Sequence, residues 1–350
     1  MNTPMPEKST GENRRLLSGG TVLIILACCL LLGILLSFLL GRYPVPPKEL
    51  FGMIFSRLGI NIEPFWTKTQ EIAVFNVRLP RILLAVLVGA SLSAAGAAYQ
   101  GVFQNPMAAP DVLGASAGAG FGAALAIYID LSGIMITGLA FLMSLFTVAL
   151  VFFLSRHTKG ERVIGLVLAG IIISSLFQSG TSFIKLVADP TNKLPAITYW
   201  LMGSLVGASK KELSLVILPV VLGLLPLILL RWRLNVLTMG DDEARSLGVN
   251  ADRLRIAVVV CATLVTAASV SVSGMIGWVG LVIPHMMRRL VGSDYRYLMP
   301  ASIIGGGLFL LIVDNFSRNL AATEIPIGIL TSFIGAPFFV LLITRRNVIR

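Results

Sequence analysis

Two arginines near the middle of the first third of the chain have the spacing needed to bind a carboxylate. They flank a proline in Arg78-Leu-Pro-Arg81. Proline fits the first turn of a helix, where its missing N–H would be unpaired anyway, so both guanidinium groups are predicted to lie on one helix face. Such a pair can grip a carboxylate of a docking protein, or it can anchor a helix end at a membrane surface. The spacing leaves both interpretations open.

A third arginine, Arg318, lies one helical turn after Asp314 in an apolar segment. An unpaired arginine at the centre of a bilayer costs at least ~2.5–3.5 kcal/mol. Arg318 is therefore expected either to pair with Asp314 within the helix or to face outward at the membrane surface, where it could join Arg78 and Arg81 in docking.

The segment Gln104-Asn-Pro-Met-Ala-Ala-Pro-Asp111, called the 104–111 loop below, joins two apolar segments. Its two prolines make it stiff, and Gln104 and Asn105 offer uncharged hydrogen-bonding groups. A rigid, polar and uncharged constriction is what a gate requires. The alternative is a tight helix connection in which Asp111 caps the next helix.

The segment Met239-Gly-Asp-Asp-Glu-Ala-Arg-Ser-Leu-Gly248 predicts a short amphipathic helix on a membrane surface. Acidic residues 241–243 favour a helix N-terminus, and Gly248 suits a helix stop. A short, separately capped helix is a shape that a peripheral partner can grip. The alternative is a capped surface loop.

Several kinds of chemistry are excluded or disfavoured. The chain has three cysteines and two histidines, without a metal-binding spacing, and no G-x-x-x-x-G-K-[ST] phosphate loop. Gly114-Ala-Ser-Ala-Gly118 matches a serine-hydrolase pattern, but that pattern needs a positioned histidine base, and His157 and His285 are predicted at the ends of other helices. We therefore expect no enzymatic activity, no metal site and no cofactor in this chain.

The elements that position these residues are membrane helices. Of the 350 residues, 56% are hydrophobic and only 13% charged, and the mean hydropathy is +0.87. A water-soluble domain has about a quarter of its residues charged. The net charge of +11 comes from basic residues that mostly flank apolar runs, which favours a role in membrane orientation over nucleic-acid binding.

A membrane helix needs about 20 apolar residues, and ten candidate spans follow from the sequence: 19–40, 79–104, 111–129, 133–154, 163–187, 212–232, 256–274, 276–291, 298–318 and 326–344. Most lysines and arginines fall on one side when both termini are cytoplasmic. The sequence thus predicts an all-α polytopic membrane protein with a cytoplasmic tail at 1–18, one domain at 19–344 and a second tail at 345–350. A cytoplasmic segment at about 233–255 interrupts the domain.

Together these motifs resemble the FecCD permeases, the membrane subunits of binding-protein-dependent ABC importers for ferric siderophores, haem and cobalamin. The resemblance runs in order from about residue 70 to 345. It is carried by four stretches: 78–114 (Arg-Leu-Pro-Arg through Gln-Asn-Pro-Met to Leu-Gly), Tyr199-Trp-Leu-Met-Gly203, Gly277-Trp-Val-Gly-Leu-Val-Ile-Pro-His-Met-Met-Arg288 and Glu324-Ile-Pro-Ile-Gly-Ile-Leu-Thr-Ser-Phe-Ile-Gly-Ala-Pro337.

The resemblance implies a cobalamin-permease-like fold of ten helices that works as a homodimer or with a paralogous permease, with the path between the subunits. It implies that Arg78, Arg81 and Arg318 meet glutamates of the binding protein, and that Asn105 and Met107 form the cytoplasmic gate. It also implies that the ATPase subunit holds the coupling segment, which consists of Asp241, Asp242, Glu243, Ala244, Arg245, Leu247 and Gly248. The chain departs here from the importer pattern E-A-A-x-x-x-G, because Glu243-Ala-Arg reaches its glycine after two further residues.

These features predict a permease of the bacterial or archaeal cytoplasmic membrane. It would move a chelated metal, a ferric siderophore in the first instance and haem or cobalamin as alternatives, by alternating access. ATP hydrolysis would occur on a separate cytoplasmic ATPase dimer. The competing prediction is an ion-coupled secondary carrier, for which Asp314 is the one acid well inside a span.

Overall fold

Membrane-length helices dominate the computed structural model, which describes residues 18–157 and 162–346. Within those ranges the regular structure is helical throughout. The α-helices are α1 (Gly19–Leu39), α2 (Pro47–Arg57), α3 (Lys68–Ile72), α4 (Leu79–Val102), α5 (Ala115–Tyr128), α6 (Ile134–Ser155), α7 (Arg162–Val187), α8 (Lys193–Leu201), α9 (Lys210–Leu229), α10 (Arg231–Met239), α11 (Asp241–Ser246), α12 (Ala251–Ser273), α13 (Val279–Val291), α14 (Tyr295–Asn319) and α15 (Ile327–Arg346).

Each of the ten predicted spans coincides with one of these helices. In the described residues, seven helices are long and apolar enough to cross a membrane. The other three are α5, α13 and α15, of 14, 13 and 20 residues. A 13-residue helix is only about 20 Å long, against a hydrocarbon core of roughly 30 Å, so the number of full spans is close to, but not strictly, ten. The two predicted tails lie almost wholly outside the described residues.

Helix α4 forms the centre of the bundle. It packs against α12, α13 and α14, and 83% of the most apolar stretch of the helical run that contains it is buried. Small residues make this possible: Gly89 lies against the backbone of Gly306 in α14, and Gly96 against that of Gly280 in α13. A Cβ at either glycine would overlap the facing carbonyl group, so the close helix approach requires glycine.

The outer helices present apolar faces instead. In α1, α7 and α9 the buried share of the most apolar stretch is only 17%, 28% and 22%. A second close approach joins α5 to α6, where Gly118 faces Thr147 and Gly122 faces the Leu139 carbonyl. These close contacts hold the helix that follows the 104–111 loop firmly against α6.

The bundle has two functional ends, separated by the 24 residues of α4, about 36 Å of helix. The arginine end holds the start of α4 and the finish of α14. The loop end holds the 104–111 loop and α10–α11. Between α12 and α13 the chain reverses without a helix at residues 274–278, where Gly274 and Trp278 have positive φ of 66° and 70°.

Candidate functional site

The arginine end is built on an unusual helix start. A capping box between Thr67 and Gln70 opens α3, and the chain then passes through a π-helical turn, Ala73–Arg78, directly into α4. The wider turn shifts the register of the helix at the point where the two arginines enter it. Arg78 and Arg81 consequently lie at the same end of the bundle but reach different neighbours. Short π-helical turns of this kind occur often at functional sites.

Arg81 binds two carboxylates at once. Its Nε donates to Asp314 Oδ1 at 3.0 Å, while Nη1 and Nη2 donate to the two carboxylate oxygens of Glu324 at 3.0 and 2.7 Å. Nη2 also lies 2.9 Å from Asp314 Oδ1. The contact with Glu324 is the fork-to-fork geometry that gives arginine–carboxylate pairs their strength and direction.

Arg318 and Arg78 are enclosed differently. Arg318 Nε lies 3.1 Å from Asp314 Oδ2, an ion pair without the alignment of a hydrogen bond, and its Nη2 donates to Ser37 and Asn315. The predicted pair one turn apart in the helix is therefore confirmed. The Arg78 guanidinium donates to the carbonyl oxygens of Phe38, in the last turn of α1, and of Tyr43, which follows that helix.

All three arginines are buried in the single chain, with exposed fractions of 5–7%. Three guanidinium groups face two carboxylates, so this arginine cluster (Arg78, Arg81, Arg318, Asp314 and Glu324) carries a net formal charge of +1. Each of its three guanidinium groups already has partners within the chain. Docking by these arginines stays a prediction.

At the loop end, the 104–111 loop is both exposed and internally braced. Met107 is 44% exposed, its backbone N–H donates to Asn105 Oδ1 at 2.9 Å, and the Ala108 N–H donates to the Asn105 carbonyl at 3.0 Å. Asp111 Oδ1 accepts the Ser116 N–H at the start of α5. The predicted cap is thus present, in the same stiff loop that presents Asn105 and Met107 at the surface.

The 241–248 segment forms the predicted short helix. Gly240 and Gly248, with φ of 125° and 74°, bound α11. Ala244 is fully buried, whereas the side chains of Arg245 and Asp242 are 67% and 94% exposed. Leu247 is exposed as well. One face of the helix therefore packs on the bundle, and the other leaves charged and apolar side chains exposed.

The two parts of the loop end are joined by hydrogen bonds. Gln104, whose φ of 48° is rare outside glycine, donates from Nε2 to the Leu237 carbonyl in α10 at 2.7 Å. Asn235, also in α10, donates to Asp294 Oδ1 at 2.7 Å and accepts the Tyr295 N–H at 2.8 Å. A displacement of α10 and α11 would therefore act directly on the 104–111 loop and on the start of α14.

Asp294 is the best-held carboxylate at this end. The Arg296 guanidinium donates to it, and so do the Arg296 N–H and the Asn235 amide. These hydrogen bonds, the one from the Arg296 side chain first among them, lower the pKa of Asp294 to about 2. The side chain is ionised at all physiological pH values and fixes the start of α14 to α10.

A cavity of about 640 Å³ opens beside α15. Its lining comprises Leu201, Met202, Met275, Gly277, Gly328, Ile329, Ser332, Phe333, Ala336 and Pro337. None of these residues is charged, and Ser332 supplies the one hydroxyl group of the lining. Gly328 and Pro337 of the last helix thus border a cavity. Within the described ranges no three His, Cys, Asp or Glu side chains are grouped as metal ligands.

Sequence reasoning missed three partners. Glu324 lies 243 positions from Arg81, and Asp294 lies 59 positions from Asn235, so neither pair has a local signal. Arg42 is exposed at the arginine end and donates to the Arg318 and Ala321 carbonyls. The motif that contains Glu324 marked the residue as notable without indicating what it binds.

The fold and these two ends define a multi-pass helical membrane protein of the transport class. Comparison with known proteins identifies it further, because residues 29–345 match the FecCD transport family. The chain belongs to this family and is an ABC importer permease.

Individual relatives differ in what they carry. The chain is 37% identical to the molybdate import system permease protein MolB of Haemophilus influenzae, over 95% of this chain and 96% of that one. It is 40% identical to the cobalamin import system permease protein BtuC of Halobacterium salinarum, over 80% and 76% of the two chains. Among solved structures, an inward-facing metal-chelate type ABC transporter superposes with a TM-score of 0.83 at 37% identity, covering 93% of this chain and 99% of that one.

Proposed function

We propose that the chain is the membrane-spanning subunit of an ATP-driven importer that takes up a chelated metal, most specifically a ferric siderophore. In this proposal the arginine end faces outward and docks a substrate-binding protein. The loop end and both termini face the cytoplasm, where an ATPase dimer grips the 241–248 segment. The observation that carries the proposal is the hydrogen bond from Gln104 to Leu237, because it joins the loop of the proposed gate to α10, the helix that directly precedes the proposed coupling segment.

The mechanism follows from these contacts. Nucleotide binding on the ATPase subunits would move α11 together with α10, since Ala244, Leu234 and Leu237 are packed into the bundle. The Gln104 and Asn235 contacts pass that movement to the 104–111 loop and to α14. Inverting a 1:99 equilibrium between two conformations takes about 5.5 kcal/mol of differential binding, which nucleotide and partner binding would supply from outside this chain.

A second copy of the chain would complete the path. The exposed faces of α7 and α15, which include Ile172 and Phe333, are large and apolar, and the 640 Å³ cavity lies beside α15. Association through these faces places the two cavities around a common axis. The homodimer is the simplest such arrangement, and a paralogous permease is the alternative.

The lining of the cavity favours a chelate over a bare oxyanion as cargo. A small dianion such as molybdate is held in proteins by charged or convergent hydrogen-bond donors, whereas this lining is apolar and uncharged. A metal enclosed in an organic chelator presents a larger and softer surface, which suits a wide apolar passage. Molybdate remains the second candidate because of the 37% identity to the molybdate permease over nearly the whole chain.

The surroundings of Asp314 disfavour an ion-coupled carrier. A coupling carboxylate must bind and release its ion during each cycle. Asp314 is fully buried and lies within 3.1 Å of both Arg81 and Arg318. These two fixed positive charges already neutralise it, so it does not need a coupling ion to balance its charge.

Reconstitution tests the proposal. The chain and its ATPase subunit are placed in liposomes, the cognate binding protein is added outside, and uptake of ⁵⁵Fe-ferrichrome, hemin, cyanocobalamin and ⁹⁹Mo-molybdate is measured with ATP inside. We expect ATP-dependent uptake of the iron complex. Uptake of molybdate instead would overturn the cargo assignment, and uphill uptake without the ATPase would overturn the proposed class.

The Gln104 contact is tested in the same vesicles. Gln104→Met keeps the length of the side chain but removes the donor, and we expect ATP hydrolysis to persist while uptake falls. Asn61→Leu, in the exposed stretch between α2 and α3, is a polar-to-apolar control of matched size and should leave the ratio of uptake to hydrolysis unchanged. Equal ratios in the two variants would contradict the proposed link.

A further inference from the structure

The three arginines of the cluster differ in what covers them. Arg78 is covered by backbone carbonyls, and Arg318 by Ser37, Asn315 and the fully buried Asp314. Arg81 is covered by Glu324. The exposed fraction of the side chain rises from 0% at Asp314 to 8% at Arg81 and 25% at Glu324, so Glu324 lies between the guanidinium and solvent.

Among the groups that shield the three arginines from solvent, Glu324 is thus the one that a carboxylate of another protein could replace directly. Its bidentate contact with Arg81 is the same contact that a glutamate of an acidic partner would make. Removing Glu324 without a substitute would leave the buried Arg81 guanidinium with one fewer negative partner, which costs free energy. Replacing it with another carboxylate keeps the number of ion pairs constant, and Asp314 stays on Arg81 throughout.

The position of Glu324 in the chain gives this exchange a consequence. The segment between α14 and α15 is fastened to α14 by Ser317, whose hydroxyl donates to the Ile325 carbonyl at 2.6 Å and whose carbonyl accepts the Ile325 N–H at 3.2 Å. Two residues later Ile327 begins α15 and is fully buried. Gly328 packs on the Met202 carbonyl and lines the 640 Å³ cavity. Release of Glu324 would therefore loosen the first turn of the cavity-lining helix.

We propose that Glu324 is an internal counter-ion of Arg81 that a carboxylate of the docking protein displaces, and that this exchange loosens residues 320–324, which precede the two Ser317–Ile325 contacts, and with them the start of α15. The inference rests on the proposed function. It explains how a buried arginine takes part in docking: Glu324 occupies the Arg81 guanidinium in the undocked permease, and a carboxylate of the partner takes its place on docking. It also links arrival of the partner at the surface to the cavity beside α15.

The test uses the whole importer in nanodiscs with the binding protein encoded beside it. Glu324→Gln removes the competing charge, and we expect the binding protein to bind at least about fivefold more tightly and the ATPase rate without binding protein to rise. The matched control is Glu71→Gln, which breaks an exposed pair with Arg57 at the same end and should change neither quantity. Unchanged or weaker binding by Glu324→Gln, with Glu71→Gln like the wild type, would overturn the inference.

A second measurement needs no variant. Docking normally protects a surface segment from hydrogen exchange. If the binding protein displaces Glu324, however, peptides covering 320–327 should show faster hydrogen exchange when the binding protein is added to the wild-type importer. Slower exchange there would overturn the inference even if Glu324→Gln failed to fold. A wild-type importer that does not bind the protein at all would instead count against the proposed function.

Discussion

At the scale of single residues, Asp314 is the position on which the arginine end depends. It is fully buried and neutralises parts of two guanidinium groups, Arg81 and Arg318. Asp314→Asn leaves those charges buried with one carboxylate instead of two, and breaking a buried pair in this way costs about 3–5 kcal/mol. We expect a large drop in the thermal unfolding midpoint of the detergent-solubilised protein.

The matched comparison is Glu71→Gln. Its pair with Arg57 is exposed, with side-chain fractions of 42% and 59%, and exposed pairs contribute about 0–1 kcal/mol. Equal midpoints for the two variants would show that Asp314 does not stabilise the cluster as its contacts indicate.

Asp294 gives a prediction that depends on pH. Its pKa is about 2 in the folded chain and about 3.9 when unfolded, so the ionised form stabilises the fold. That contribution is complete above pH 4 and is lost as pH falls through about 2. The difference in unfolding midpoint between the wild type and Asp294→Asn should shrink steadily from pH 5 to pH 2. A constant difference would mean that the charge of Asp294 contributes nothing.

At this scale, the sequence predicts a contact only when the two residues are close together along the chain. The pair Asp314–Arg318 is predictable because four residues on a helix bring side chains together. The pair Arg81–Glu324 joins residues 243 positions apart, and only the packing of α4 on α14 creates it. The docking, gate and coupling roles given to these residues by resemblance stay predictions.

At the scale of the helices, the close contact between α4 and α13 can be tested directly. Gly96 lies against the Gly280 backbone, and an added methyl group has nowhere to go. Gly96→Ala should destabilise the protein by about 1–3 kcal/mol through overpacking, measured as a lowered unfolding midpoint and a lower yield of folded protein.

Gly138 in α6 serves as the control, because a Cβ added there meets nothing within 4 Å. Gly138→Ala is expected to be neutral or to stabilise by about 0.5–1 kcal/mol, since alanine loses less backbone freedom on folding into a helix. A loss at Gly138 equal to that at Gly96 would assign the effect to general intolerance of substitution rather than to the α4–α13 contact.

The spans were predictable because their signal is strong and local: each of the ten apolar runs bounded by charged or proline-rich segments coincides with a helix. The π-helical turn at Ala73–Arg78 was not, because nothing in Ala-Val-Phe-Asn-Val-Arg distinguishes it from an ordinary helical turn. Helix α8 was also missed as a helix, since nine residues with an internal proline at 195 give little periodicity.

At the scale of the whole molecule, the exposed faces of α7 and α15 carry the prediction of a homodimer. Phe333 in α15 is 75% exposed and borders the cavity. In a variant with all three cysteines replaced by serine, Phe333→Cys should give a covalent dimer when membranes are treated with a short bis-maleimide, because the proposed axis lies beside this helix.

Leu218→Cys is the matched control: 65% of the leucine is exposed, and its helix, α9, packs on α12 and α4. Its face should contact lipid, so this variant should give no covalent dimer under the same treatment. Equal cross-linking at both positions would indicate random collision and contradict the proposed interface.

The shortness of α13 has a consequence for how the protein is made. Thirteen residues that include Pro284, His285 and two arginines are too few and too polar to partition into lipid as an independent unit. A nascent chain must therefore hold α13 at the insertion machinery until α12, from which it is separated by only five residues, and the glycine surface of α4 can shelter it. In this half of the protein, the central helices are then inserted into the membrane together rather than one at a time.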